Sequence, residues 1–250
     1  LKKLFSEKGN PKVKFIGSHA GHGRKPDGSH AAHEGRGGWT WFSYCTRWAE
    51  AKDEKKVYKA KSPFLFLKDG KPQLDFQKYL DKYNDGKALD FITVFLGCND
   101  TFGAKDDNIE AQINRMFKCA DTLIAEFRKI SKDTQIGLLL LVPPAATQDA
   151  FGSNYKCGQT RWQYRRNQHR VVERQIEKYE NREKENVFLI PAYLNIDCVN
   201  NFPKKTEALN SRNDTKISRD CNGVHPAKEG YLQIADSVYA WLKYRLNQTK

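Results

Sequence analysis

Leu89-Asp90-Phe91-Ile92-Thr93-Val94-Phe95-Leu96-Gly97-Cys98-Asn99-Asp100 is the stretch on which the fold turns. Its first eight residues are mostly apolar, branched and aromatic, the composition of a strand covered on both faces. Gly97 ends the run, and Asn99 and Asp100 are turn formers that bond nearby backbone. Just downstream, Ile109, Ile113, Met116, Phe117, Ala120, Leu123, Ile124, Phe127 and Ile130 recur at helical spacing, which predicts one long amphipathic helix. Residues 135–142 then read as a second apolar strand, stopped by Pro143-Pro144. Buried strands that alternate with helices predict an α/β protein with a parallel sheet. Right-handed crossovers put every strand-end turn on one edge of that sheet.

The alternation continues outward. Residues 161–180 read as a basic helix with Tyr164, Val171, Val172, Ile176 and Tyr179 inward. Residues 187–190 are a strand ended by Pro191, and 195–219 read as a long polar loop. A last helix follows, with Tyr231, Leu232, Ile234, Ala235, Val238, Tyr239, Trp241 and Leu242 at helical spacing. Toward the start, 1–8 is the tail of an amphipathic helix stopped at Gly9, and 13–16 is a short strand ending at Gly17. An aromatic-rich helix begins within 39–48. Residues 49–87 form a polar, basic excursion with one short helix over 76–83, and 147–160 form a loop with Phe151, Tyr155 and Cys157. Neither a repeat nor a second domain is visible, so residues 1–250 are expected to form a single domain.

Composition narrows the function classes. Lys and Arg number 43 against 30 Asp and Glu, a net charge of +13. A basic balance invites an acidic partner, but the lysines are scattered, and the densest cluster, 52–61, is interrupted by Asp53 and Glu54. This pattern reads as a solvated surface, and without a nucleic-acid-binding motif no nucleic-acid partner is expected. No apolar run approaches the ~20 residues of a membrane span. Six cysteines lack CxxC or CxxH spacing, which argues against structural zinc. Cys98 and Cys119 read as core thiols, while pairing stays open for Cys157, Cys198 and Cys221. His19, His22, His30, His33 and Glu34 crowd one loop at spacings that match no metal motif, so neither a metal nor a cofactor is expected.

Catalytic chemistry is expected at the strand ends, where ligands bind in open α/β sheets. Asp220-Cys221-Asn222-Gly223-Val224-His225-Pro226 precedes the last helix. Pro226 disfavours helical backbone at His225, which holds the imidazole in a loop where it can act as a base near neutral pH. A surface histidine in a turn is the plain alternative. Gly37-Gly38 allows a turn with exposed N–H groups, suited to an oxyanion or to an ordinary tight turn. Asn99 is either an oxyanion donor or a turn residue capping its own backbone.

Taken together, Gly97-Cys98-Asn99-Asp100, Gly223-Val224-His225-Pro226 and Gly37-Gly38-Trp39-Thr40 resemble the motifs of the SGNH (GDSL-type) hydrolase family. The run from His33 to Thr40 is similar to secreted bacterial members. The resemblance implies a three-layer α/β/α fold with a flavodoxin-like parallel sheet. It implies a serine esterase of secreted or cell-envelope location, acting on an O-acetyl or other acyl group of a carbohydrate. It assigns Gly38 and Asn99 to the oxyanion hole and His225 to the general base. Two departures stand out. No Gly-Asp-Ser occurs: Phe15-Ile16-Gly17-Ser18-His19 lacks the Asp, and Asp27-Gly28-Ser29 has the wrong order. The first strand and nucleophile are therefore expected upstream of Leu1, on a preceding segment or companion chain. In addition, Asn222 stands where the family has Asp. This leaves a Ser-His dyad with Asn222 as orienter, substitution by Asp220, or a weak enzyme. The alternative function is a catalytically inactive glycan-binding or interaction protein that kept the fold.

Overall fold

The computed structural model of the chain describes residues 1–19, 31–51, 57–152 and 159–248. In chain order the elements are α1 (Lys2–Ser6), α2 (Trp41–Thr46), α3 (Val57–Ala60), β1 (Leu65–Lys68), β2 (Lys71–Leu74), α4 (Phe76–Tyr83) and β3 (Phe91–Val94). They continue with α5 (Ile109–Ile130), β4 (Gln135–Leu139), α6 (Asp149–Gly152), α7 (Arg161–Tyr179) and β5 (Val187–Ile190). The last are β6 (Lys204–Asn210), β7 (Asn213–Asp220) and α8 (Lys228–Gln248). Strands β3, β4 and β5 form a parallel sheet in that order, and with the intervening helices this is the α/β class. Contacts group the chain into two compact units: Leu1–Asp100, Glu110–Gly137 and Asn181–Phe188 in one, Thr101–Ile109, Leu138–Glu180 and Leu189–Lys250 in the other.

In the first unit, α5 buries Ile113, Met116, Phe117, Ala120, Leu123, Ile124 and Phe127, the stripe that its period predicts. Phe127 meets Phe64 and Phe76 at ring separations of 5.8 and 4.6 Å, and Tyr79 stacks on Phe76 at 5.3 Å. These rings join α4 and the β1–β2 hairpin to α5. The hairpin turns at Asp69-Gly70, both at positive φ, as a two-residue turn matched to strand twist requires. In the second unit, α7 turns Tyr164, Asn167, Gln168, Val171, Val172, Gln175 and Tyr179 inward. Helix α8 buries Gly230, Ile234, Val238 and Leu242, a strict four-residue stripe.

Several expectations are corrected. Residues 13–16 belong to no strand; Val13 is exposed, so no buried alternation holds the segment on a sheet. Strand β3 is only partly covered, because it lies at one end of the strand order. The polar stretch 195–219 contains the antiparallel hairpin β6–β7, with a bulge between Ala208 and Asn210. Its strands lack apolar alternation because most of their residues contact water. In α8, Tyr231 and Leu232 are exposed, since only one narrow stripe is covered. Cys98 and Cys119 are half-buried rather than core, and Cys198 and Cys221 are thiols, not disulfide partners.

Candidate active site

The first unit carries Gly38 and Asn99. Gly38 has φ +81°, a left-handed conformation that disfavours any side chain, although a Cβ there would meet nothing within 4 Å. Backbone conformation, not crowding, therefore requires this glycine. Beyond the turn, Thr40 accepts a hydrogen bond from the Ser43 N–H and starts α2. The Asn99 amide donates to the Trp39 carbonyl at 3.0 Å. The Asp100 carboxylate accepts the Trp41 N–H, at 3.1 and 3.2 Å from its two oxygens. Neighbouring residues thus clamp positions 39–41 from one side, which brings Asn99 beside the turn that carries Gly38. Burial pushes the Asp100 pKa up to about 6, against the opposing pull of the Trp41 and Phe42 N–H groups.

A buried network holds this turn. Glu34 accepts Ser18 Oγ at 2.7 Å and Arg36 Nη1 at 2.6 Å on one carboxylate oxygen, and Tyr79 Oη at 2.8 Å on the other. Arg36 also donates to the Tyr58 carbonyl and to Ser18 Oγ, and its guanidinium lies 5.1 Å from the Trp39 ring centre. With the Arg36 side chain only 3% exposed, loss of either partner strands a buried charge. Burial and the neighbouring Glu34 charge raise the Tyr79 pKa, so its phenol stays a donor. Ser18, the nearest imitation of the family serine, is committed to this network. His19 pairs backbone with His33 and stacks its ring on Tyr58 at 4.9 Å. His22, His30, Asp27-Gly28-Ser29, Tyr155 and Cys157 lie outside the described residues. Among the described residues, no cluster of three or more His, Cys, Asp or Glu is placed to hold a metal.

The second unit carries His225. The Asn222 side-chain oxygen accepts the Val224 and His225 N–H groups at 3.0 and 2.9 Å, a side-chain-closed turn that fixes His225 through its backbone. Tyr231 Oη stands 3.4 Å from His225 Nδ1. The ring is reached by solvent, yet its neighbours remove enough water to lower its pKa below the usual value, so it is neutral at pH 7. Asp220, at the end of β7, is 3% exposed; Oδ2 accepts Thr147 Oγ1 at 2.8 Å, and buried Oδ1 has no partner among the described residues. Gly223 is a glycine for steric reasons: a Cβ there would lie 2.4 Å from the Phe151 ring.

Sequence reasoning missed Asp100, Thr147, Tyr231 and the Glu34–Arg36 pair. Asp100 had a signal, standing beside Asn99 at the end of an apolar run. The Glu34–Arg36 pair had a weaker one, charges inside a glycine-rich turn that leads into an aromatic helix. Thr147 and Tyr231 carried none, because their partners are 73 and 6 residues away in unpatterned positions.

The profile of the family described as GDSL-like Lipase/Acylhydrolase matches residues 42–238. No curated protein matches the chain. Among solved structures, one from Streptococcus pneumonia, whose description refers to platelet activating factor, is similar at 19% identity and a TM-score of 0.38. The similarity covers 67% of this chain and 66% of that one.

Proposed function

The chain belongs to the GDSL-like lipase/acylhydrolase family, an ester-hydrolase family, and from that premise we propose that it is a serine esterase removing an acyl group, such as O-acetyl, from a carbohydrate. In this reading neutral His225 takes the proton of the attacking serine. The Gly38 N–H and the Asn99 amide N–H receive the charge that develops on the carbonyl oxygen. Protonated His225 then returns the proton to the leaving sugar hydroxyl, and water, activated by the same imidazole, clears the acyl group.

The serine stands upstream of Leu1 in this reading, since no Gly-Asp-Ser occurs in the 250 residues and the Ser18 hydroxyl is bonded to Glu34 and Arg36. Asn222 supports the base by holding its backbone, which favours a Ser-His dyad. Exposed Trp162, on the helix that borders a groove of about 610 Å³ lined by Asp106, Asp107 and Gln163, offers a flat face for a sugar ring. The family resemblance is the basis for proposing a secreted or cell-envelope location.

The observation that carries the reading is the Asn99–Asp100 clamp on the Gly38 turn. Its test uses the full-length protein and p-nitrophenyl acetate. Asn99→Ala is expected to lower kcat by about 10²–10³ with KM little changed, as loss of one oxyanion donor does. Unchanged kcat overturns the assignment. Failure of a fluorophosphonate to label any serine favours the second reading, a glycan-binding protein without a nucleophile, for which the missing Gly-Asp-Ser speaks.

A further inference from the structure

The first unit holds two cysteines that the ester chemistry does not use. Cys45 lies on α2 and Cys119 on α5, 74 residues apart in the chain. Cys45 Sγ donates to the Cys119 carbonyl at 3.3 Å, which sets the two cysteines side by side. Both are half-buried, so a small reagent reaches them while the helices around them keep them paired.

We propose that Cys45 and Cys119 form an oxidisable dithiol, a site where a disulfide ties α2 to α5. The co-reactant is a low-molecular-weight disulfide such as oxidised glutathione. One cysteine loses its proton to solvent, and its thiolate attacks a glutathione sulfur, releasing one glutathione thiolate and leaving a mixed disulfide. The second cysteine, as thiolate, attacks the protein sulfur of that mixed disulfide and expels the second glutathione. Two protein thiols are oxidised and one glutathione disulfide is reduced to two thiols. Burial and the facing thiol push Cys45 up to about 12, and burial raises Cys119 as well, so the exchange is slow at neutral pH and quickens as pH rises. The closed form holds α2, whose first turn is capped by Thr40 and Asp100, against the long helix of the unit.

The test incubates the protein with oxidised glutathione at pH 8.5, alkylates the remaining thiols in denaturant, and reads masses after trypsin. The expected product joins residues 37–47 to 119–128, with a mass about 2 Da below the sum of the reduced peptides. The oxidised protein melts several degrees above the reduced one, since closing a long loop restricts the unfolded chain. Cys45→Ser and Cys119→Ser each abolish both the linked peptide and the melting shift. Full alkylation of both cysteines after oxidation, a stable glutathione adduct on either, or a link to a different cysteine overturns the proposal. Mass and melting report on the thiols alone, so the result is independent of ester hydrolysis.

Discussion

At the scale of single residues, two ionisable groups set the pH behaviour. His225 has its pKa lowered by local burial, so the neutral, proton-accepting form persists below the usual histidine range. The kcat/KM for an uncharged ester is therefore expected to stay flat from pH 8 through 6.5 and to fall only at lower pH. A limb centred above 6.5, or one unchanged in His225→Gln, contradicts the assignment. Asp100 is shifted the other way. Its carboxyl ionises near 6 in the folded chain and near 3.8 in the unfolded one. Between these values the folded state binds more protons, so this group's contribution to stability is fullest below pH 4 and declines as pH rises toward 6. Urea titrations from pH 4 to 7 are expected to show wild type losing stability relative to Asp100→Asn over that window. Above it, the ionised carboxylate is the better acceptor for the Trp41 N–H, and the turn is held by its strongest bonds.

Elements show where a one-dimensional pattern is sufficient. Helices α4 and α5 and strand β5 have the bounds that their apolar periods and flanking breakers predict, because each buries one regular face. The β1–β2 hairpin has its signal in Asp69-Gly70, but the polar residues around that turn mask the strands that flank it. Strands β6 and β7 leave no periodic trace, since exposed Lys204 and Thr206 alternate with Lys205 and Glu207, which are polar and also reach water. The candidate site follows the same rule. Gly38, Asn99 and His225 announce themselves by residue type beside a turn, whereas Thr147, which bonds Asp220, depends on chain distance alone. The loop from Cys221 to His225 is fixed by elements on either side, with the Cys221 N–H on the Pro203 carbonyl and Gly223 against Phe151 of α6. Gly223→Ala places a methyl inside the Phe151 ring envelope. Overpacking of this kind costs about 1–3 kcal/mol, read as a lower urea midpoint, and the shifted loop lowers kcat as well. Gly223→Ala combined with Phe151→Leu is expected to recover part of the stability.

At the scale of the whole molecule, charge is the dominant feature. A net +13 spread over scattered lysines attracts polyanions through long-range charge. Retardation of duplex DNA, where it occurs at 50 mM salt, is expected to vanish by 300 mM, since contacts of this kind are made through counterion release. Hydrolysis of an uncharged ester over the same range is expected to change by less than about twofold, because the proposed oxyanion donors, Gly38 and Asn99, carry no net charge. DNA binding that survives 300 mM salt would mean a built nucleic-acid surface.

The β6–β7 ribbon has a consequence for behaviour at high concentration. Any two-stranded ribbon leaves two open rims of backbone donors and acceptors. Here Lys204, Lys205 and Lys216 stud the strands, Glu207 pairs with Lys205, and the irregularity at Ala208 twists one rim out of line. A neighbouring molecule finds neither a straight row to zip onto nor a greasy surface to stack against. Stored solutions are accordingly expected to stay clear of thioflavin-positive fibrils seeded from this ribbon.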